Sequence, residues 1–260
     1  MRSKSRPVDG SGTDRGVSEA VGFVLTFSVI LLSVGTVYAA GSGALLDISG
    51  HAEVNSAQDA MEALAVTFEQ IGRSDGENRA NEIRLNGGEI AVAGGSTFEV
   101  DVAVADGPDP PATTVTTGSV RIGVDDSRIE YQSGAVFRGR EDGAVMTHEP
   151  SVICDPDRAV VSLIAVAPAG NVTAVGFDGS VVVSSAESDS SLLFPTATGG
   201  TYQRAANATA VELAVTSSPY ADEWGEYLTG NGWTKSGSTY TCTADRVFVR
   251  LLVLDVGFST

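Results

Sequence analysis

Lysine is almost missing from this 260-residue chain: Lys4 and Lys235 are the only two, and the other 14 basic residues are arginines. Against these 16 cations stand 33 acidic residues, for a formal net charge of -17 and a pI near 4.3. So large a deficit of cations excludes a nucleic-acid binder driven by phosphate neutralisation. Acid excess with so little lysine is the composition of a protein that works in concentrated salt, where hydrated carboxylates cover the surface and charge repulsion is screened within a few ångströms. Cysteine and histidine are equally scarce, two of each, which leaves no material for a cysteine-rich metal cluster or a multiple-disulfide framework. Neither His51 nor His148 has a nucleophile or an orienting partner in its sequence context. A phosphate-cradling glycine loop is absent, and Asp125-Asp126 and Asp155-Pro156-Asp157 lack the spacing of a calcium loop. No catalytic, cofactor-binding or metal site is expected, and the chain does not read as an enzyme. A carboxylate pair for glycoside hydrolysis, which is set by fold geometry, stays open as an alternative. The 42% hydrophobic content and the length are those of a folded chain with a full core.

What the chain does have is one long uncharged run. Between Glu19 and Asp47 lie 27 consecutive residues without a charge, centred on VGFVLTFSVILLSVGTVYAA. A helix needs about 20 apolar residues to cross a bilayer, and a helix apolar on every face is at home in lipid rather than on a soluble domain. Residues 1–16 carry Arg2, Lys4, Arg6 and Arg15 against Asp9 and Asp14, a net of +2. The positive-inside bias puts that leader in the cytoplasm and residues 47 onward outside. The apolar run exceeds the 7 to 15 residues of a secretory signal core. The small residues at 39–43 would allow signal cleavage ahead of Ala44.

At its other end the run is preceded directly by Arg15-Gly16-Val17-Ser18-Glu19. This motif, RGVSEAVGFVLTFSVILL, resembles archaeal type IV pilin-like proteins, and in particular the pilin-like membrane proteins of halophilic archaea. The resemblance implies a class III signal cut between Gly16 and Val17 by a prepilin peptidase on the cytoplasmic side, so that the apolar helix stays in the mature protein. It implies as partners the membrane, the peptidase with its pilus assembly machinery, and other pilin-like subunits. Arg15 would hold the cut at the anionic cytoplasmic face. Glu19, costly at the membrane edge unless paired, would find a partner in the new ammonium group at Val17. In many pilins that acid is at the fifth mature position; here it is third, which puts polymerisation through this salt bridge in doubt. An uncleaved single-pass anchor is the alternative.

Beyond the run, Val54, Ala57, Met61, Leu64, Phe68 and Ile71 recur at spacings of three and four, an apolar stripe on a polar helix. The stripe needs a cover, either the rest of this chain or the same stripe in a neighbouring subunit. A helix from Val17 to Ile71 would be roughly 80 Å long. Gly35, Gly41, Gly43 and Gly50 predict a bend or melted patch near residues 41–50, and Gly72 to Gly76 predict its end.

From residue 80 the periodicity becomes two. Ile83 and Leu85, a turn at Asn86-Gly87-Gly88, then Ile90 and Val92 read as a hairpin. Phe98 to Val104 read as a half-buried strand, and residues 107–111, with three prolines, as a loop. Further short strands are expected at 120–124, 128–132, 135–138, 144–147, 159–166, 172–177 and 180–184. Ser218 and Pro219 open a short helix with Trp224, Tyr227 and Leu228 on its apolar face, packed on a sheet. The last strand, 247–254, is apolar on both faces apart from Arg250, and belongs centrally in a sheet beneath the long helix. The fold class expected is α+β: a long N-terminal transmembrane and stalk helix followed by an antiparallel β-sandwich-like domain with one short helix. The domain plan is leader 1–16, transmembrane helix 17–46, amphipathic stalk 47–76 and extracellular β domain 77–260. Segments 129–138, 143–146 and 220–228 also resemble the pilin-like halophile family, without chemistry to carry over.

Outside the cell Cys154 and Cys242 are free to pair. Closing their 88-residue separation would stabilise the domain by roughly 4 to 5 kcal/mol on the chain-entropy view. Asn171-Val172-Thr173 and Asn207-Ala208-Thr209 are glycosylation sequons. The function expected is that of a structural type IV pilin-like protein, a minor pilin or pilus-like surface component. It is anchored in the cell membrane by its N-terminal helix and exposes an acidic β domain. The alternative is an anchored extracellular binding module or hydrolase that never polymerises.

Overall fold

The computed structural model describes residues 14–74, 78–85, 87–124, 126–140, 143–176, 178–198, 201–202 and 204–259, with backbone alone at 14–19, 40–50, 85, 197–198 and 201–202. Two units separate, one up to His51 and one from Ala52. The first is helical throughout its described part. Helix α1 (Asp14–Ile71) is continuous, so the expected melted patch at 41–50 is not there. A glycine in a helix interior costs about 1 kcal/mol, comparable to the net worth of a single hydrogen bond, and releasing a turn would forfeit several.

The domain that begins at Ala52 takes in the last five turns of α1 and eighteen strands. In chain order these open with β1 (Arg79–Leu85), β2 (Glu89–Ala93), β3 (Thr97–Val104), β4 (Thr113–Thr116), β5 (Ser119–Val124) and β6 (Ser127–Gln132). Then come β7 (Ala135–Arg140), β8 (Gly143–His148), β9 (Val152–Asp155), β10 (Arg158–Pro168), β11 (Ala174–Gly176) and β12 (Gly179–Phe194). The short pair β13 (Ala197–Thr198) and β14 (Thr201–Tyr202) leads through a 3-10 turn, Ala205–Asn207, into β15 (Ala208–Ser217). Helix α2 (Ala221–Gly230), β16 (Thr234–Ser236), β17 (Thr239–Thr243) and β18 (Val247–Ser259) complete the chain. Three larger sheets result, ordered β1-β12-β18-β10-β9, β11-β2-β5-β6-β7-β8 and β16-β17-β15-β3-β4. The class is α+β.

The first sheet is the middle layer, because β10 and β18 bury both faces. Leu252, Leu254 and Val256 of β18 and Ile164 and Val166 of β10 join a core with the stripe on α1 and with Ile90, Ile122, Ile129 and Tyr131 of the second sheet. Val247, Val249, Val161 and Leu163, at alternate positions, face a second core with the third sheet and α2. The stripe read from the sequence is therefore covered by this chain: Val54, Ala57, Met61, Leu64, Phe68 and Ile71 are all buried, and Phe68 meets the Tyr131 ring edge-on at 4.9 Å. For this reason the domain starts at Ala52 and not at residue 77. β18 lies third of five in its sheet, as its two apolar faces require, and Arg250 caps the end of α1 by donating to the Gly72 carbonyl at 2.9 Å.

Several pairings differ from those expected. β1 pairs β12 in the first sheet while β2 pairs β5 and β11 in the second, so residues 83–92 are a crossover between sheets and not a hairpin. The first sheet is also not purely antiparallel, since β10 runs parallel to β18. The paired strands β2/β5 continue into the paired strands β3/β4 of the third sheet. The chain thus crosses between sheets twice at one bend. There the Thr117 amide donates to the Ser96 carbonyl at 2.9 Å, and a Cβ on Gly95 would collide with the Gly118 carbonyl, so only glycine allows the two backbones so close.

Candidate functional site

Three features are candidates for function: the N-terminal helix, a buried polar network, and the clefts beside α2. In the first, the described backbone is helical from Asp14 through the Gly16-Val17 bond. The side chains of Arg15, Val17 and Glu19 lie outside the described residues. Ala20–Ala39 follow, 20 residues of mean hydropathy 2.2, none of them buried. Within this stretch Thr26 donates to the Gly22 carbonyl at 2.9 Å, Ser33 to Ile30 at 2.8 Å and Thr36 to Leu32 at 2.7 Å. These three hydroxyls are satisfied inside their own helix, as a bilayer demands. One helix is thus apolar and long enough to cross a membrane, as an anchor or as a signal.

The second feature was not foreseen. Strand β6 alternates Ile129 and Tyr131, which enter the first core, with Glu130 and Gln132 on the opposite face. Both polar side chains are nonetheless fully buried, because the start of α2 closes over them. Glu130 Oε2 accepts from the Tyr220 hydroxyl at 3.0 Å and from Arg121 Nε at 3.1 Å, with Arg128 Nε at 3.8 Å. Its Oε1 accepts from Gln132 Nε2 at 2.8 Å. Gln132 Oε1 in turn accepts from the Ser96 hydroxyl, which lies 2.6 Å from Ser218 Oγ, and Ser218 receives the Tyr220 amide at 3.0 Å. Ser218 therefore does act at the entrance to α2, but the helix begins three residues beyond it, at Ala221, with Tyr220 in the N-cap position and no side-chain cap. Burial, and after it the Glu130 carboxylate, hold the Tyr220 hydroxyl well above the ordinary tyrosine range. The β6-β7 hairpin fixes this register through Ser133 and Gly134, both at positive φ (48° and 91°), as a two-residue primed turn requires. A carboxylate so placed holds the start of α2 on the second sheet through the Tyr220 hydroxyl.

The aromatic residues of α2 complete that fixation. Trp224 is buried, edge-on to Phe98 at 5.1 Å, and Tyr220 stacks on Phe137 at 4.3 Å, which gives Trp224 the packing role read from the sequence. Tyr227 donates to the carbonyls of Pro150 and Val152 at 3.0 and 3.1 Å. Its hydroxyl is pushed up to about 12, by burial first and by Glu149 second.

The third feature is the space left beside this helix. One cleft of about 460 Å³ is lined by Arg128, Gly139, Ala144, Ser218, Tyr220 and Glu223 among others. Another of about 550 Å³ is lined by Ala144, Val145, Met146, Glu149, Glu223, Glu226 and Tyr227. The segments 143–146 and 220–228, singled out in the sequence, meet here, and 129–138 meets 220–228 through Glu130 and Phe137.

Cys154 and Cys242 form a disulfide, Cα to Cα 5.8 Å, that ties β9 of the first sheet to β17 of the third. Of the two sequons, Asn171 is exposed in the loop between β10 and β11, and Asn207 is half-buried in the 3-10 turn. His51 is exposed on α1, and His148 ends β8 opposite Val136. Asp155 and Asp157 are exposed, and Asp125 lies outside the described residues. Among the described residues no group of three or more His, Cys, Asp or Glu could hold a metal ion.

The profile of a family of unknown function, DUF7289, matches residues 15–257. The chain belongs to that family. The DUF7289 match takes in the apolar helix and the β domain together. No curated protein and no solved structure matches the chain.

Proposed function

We propose that this DUF7289 protein is a type IV pilin-like surface component of a salt-adapted cell. Its leader, residues 1–16, is cytoplasmic; prepilin peptidase cuts between Gly16 and Val17; Ala20–Ala39 span the membrane; and the acidic domain stands outside as a structural head rather than an enzyme. The other partners in this reading are the pilus assembly machinery and further pilin-like subunits. The observation that carries it is helix α1. An unburied apolar stretch long enough for a bilayer runs into the stripe that closes the domain's core, in one helix and with no linker. A secretory signal has no reason to be helically continuous with a core element, whereas an anchor that also serves as a structural spine does. The arginine and small residue directly ahead of the apolar run add to it. A second reading, an anchored binding module that does not polymerise, draws on Glu19 at the third position and on the clefts beside α2.

The two lysines supply a topology test. Lys235 is exposed in the domain, and Lys4 belongs to the leader. A membrane-impermeant amine reagent added to intact cells is expected to label Lys235 and never Lys4. Labelling of Lys235 only after lysis would overturn the orientation.

A further inference from the structure

The two clefts share Ala144 and Glu223, so they are two lengths of one groove, with β8 as one wall and α2 as the other. We propose that this groove docks an extended, cationic segment of a partner protein, which adds as a strand to the free edge of β8. The proposal stands on the domain alone and does not depend on pilin-type processing.

β8 is the last strand of its sheet and, among the described residues, pairs only with β7. Free edges are normally blunted by lysine, proline or an inward charge. The strand GAVMTH has no lysine, proline or acid; its one bulge, at Thr147 opposite Val136/Phe137, leaves Gly143–Met146 as a regular four-residue edge. Ala144 and Met146 lean toward the core under α2, while Val145 is 58% exposed on the other face. An unprotected edge with an exposed valine beside a groove is the arrangement that captures an extended peptide through main-chain hydrogen bonds, with side-chain pockets on alternate residues. The opposite wall is rigid, since Trp224 and Tyr220 are buried and Tyr227 is bonded to two carbonyls. No rearrangement is needed to admit a strand.

Charge selects the occupant. Asp222, Glu223 and Glu226 on α2 and Glu149 after β8 line the groove; of the two arginines at its far end, Arg128 is drawn toward Glu130 and Arg140 donates to Ser127. A second copy pairing β8 to β8 about a two-fold axis would set these carboxylates against themselves, so self-association is disfavoured. A segment with lysine or arginine on alternate residues meets them. In concentrated salt the Debye length falls to about 3 Å, so only contact pairs count, and the main-chain bonds supply the rest.

The test uses the full chain in detergent micelles and a labelled alternating Lys-Val peptide, read by fluorescence anisotropy. Binding is expected, and the alternating Glu-Val peptide and a Lys-Val peptide N-methylated on alternate residues are expected to fail. The pair Glu223→Gln with Glu226→Gln should weaken binding roughly tenfold, about 1.4 kcal/mol. The same charge change at Glu99→Gln with Glu212→Gln, exposed on the third sheet, should not. No binding at millimolar peptide, equal binding of the N-methylated peptide, or equal weakening by the distant pair would each overturn the proposal.

Discussion

Glu130 is a carboxylate with no exposure and four donors around it. Its arginine partners are 36% and 44% exposed, so removing the carboxylate leaves unpaired chiefly the buried Tyr220 hydroxyl and Gln132 amide, at about 1 to 3 kcal/mol each. Glu130→Ala is therefore expected to lower the urea midpoint more than any substitution of an exposed acid, and Glu130→Gln, which keeps the Tyr220 and Gln132 contacts within reach, should lie between. Tyr227 gives a pH dependence of known sign. Its hydroxyl titrates near 10 when unfolded and at about 12 when folded. The stability it contributes is full below pH 10 and is lost as pH rises through about 12. A urea-midpoint titration of the wild type should fall across that window, and Tyr227→Phe should flatten part of the fall; an unchanged slope would remove Tyr227 as a cause. Glu130 did not stand out in the sequence, and Tyr227 did so only as part of the apolar face of α2. The alternation of Ile129 and Tyr131 with Glu130 and Gln132 is also the pattern of a strand with one wet face. Only the position of α2, fixed by contacts far away in the chain, makes that face dry.

At the scale of elements, local signals were legible and long-range pairing was not. The stripe on α1, the buried strands β3, β5, β6 and β10, and the helix around Trp224 follow from spacing, because each buries a face whose period the sequence displays. β12 was expected to stop at residue 184 but runs to Phe194. Its middle, SSAESDSS, has no apolar period and is held extended by its ladder to β18. β4, β9, β13, β14, β16 and β17, of two to five residues, are too short to display a period; β15 was missed although Val211, Leu213 and Val215 alternate in it, and the supposed hairpin at 83–92 failed because a glycine turn does not say which sheet each arm joins. The stripe yields its own prediction. Phe68 lies on Tyr131 and is fully buried, so Phe68→Ala should destabilise the domain by about 3 to 5 kcal/mol. Chemical denaturation followed by tryptophan fluorescence would check it, since both tryptophans belong to the other core. A loss confined to the helix signal, with the β domain unmoved, would mean that α1 is a detachable stalk.

For the molecule as a whole, charge and hydropathy divide along the chain. The leader carries +2, so its removal would leave -19 on the remaining residues, counted from the same -17. The acid excess then belongs to the domain, where it reports exposure to salt rather than a substrate. The disulfide between β9 and β17 fits an oxidising exterior and supports the same orientation. The central claim is that the leader alone is removed and the apolar helix is kept. Intact mass and N-terminal sequencing of the protein extracted from membranes measure this directly. The account predicts a chain that begins at Val17 and retains Ala20–Ala39. A chain that still begins at Met1, or one that begins near Ala44 and has lost the helix, would contradict it.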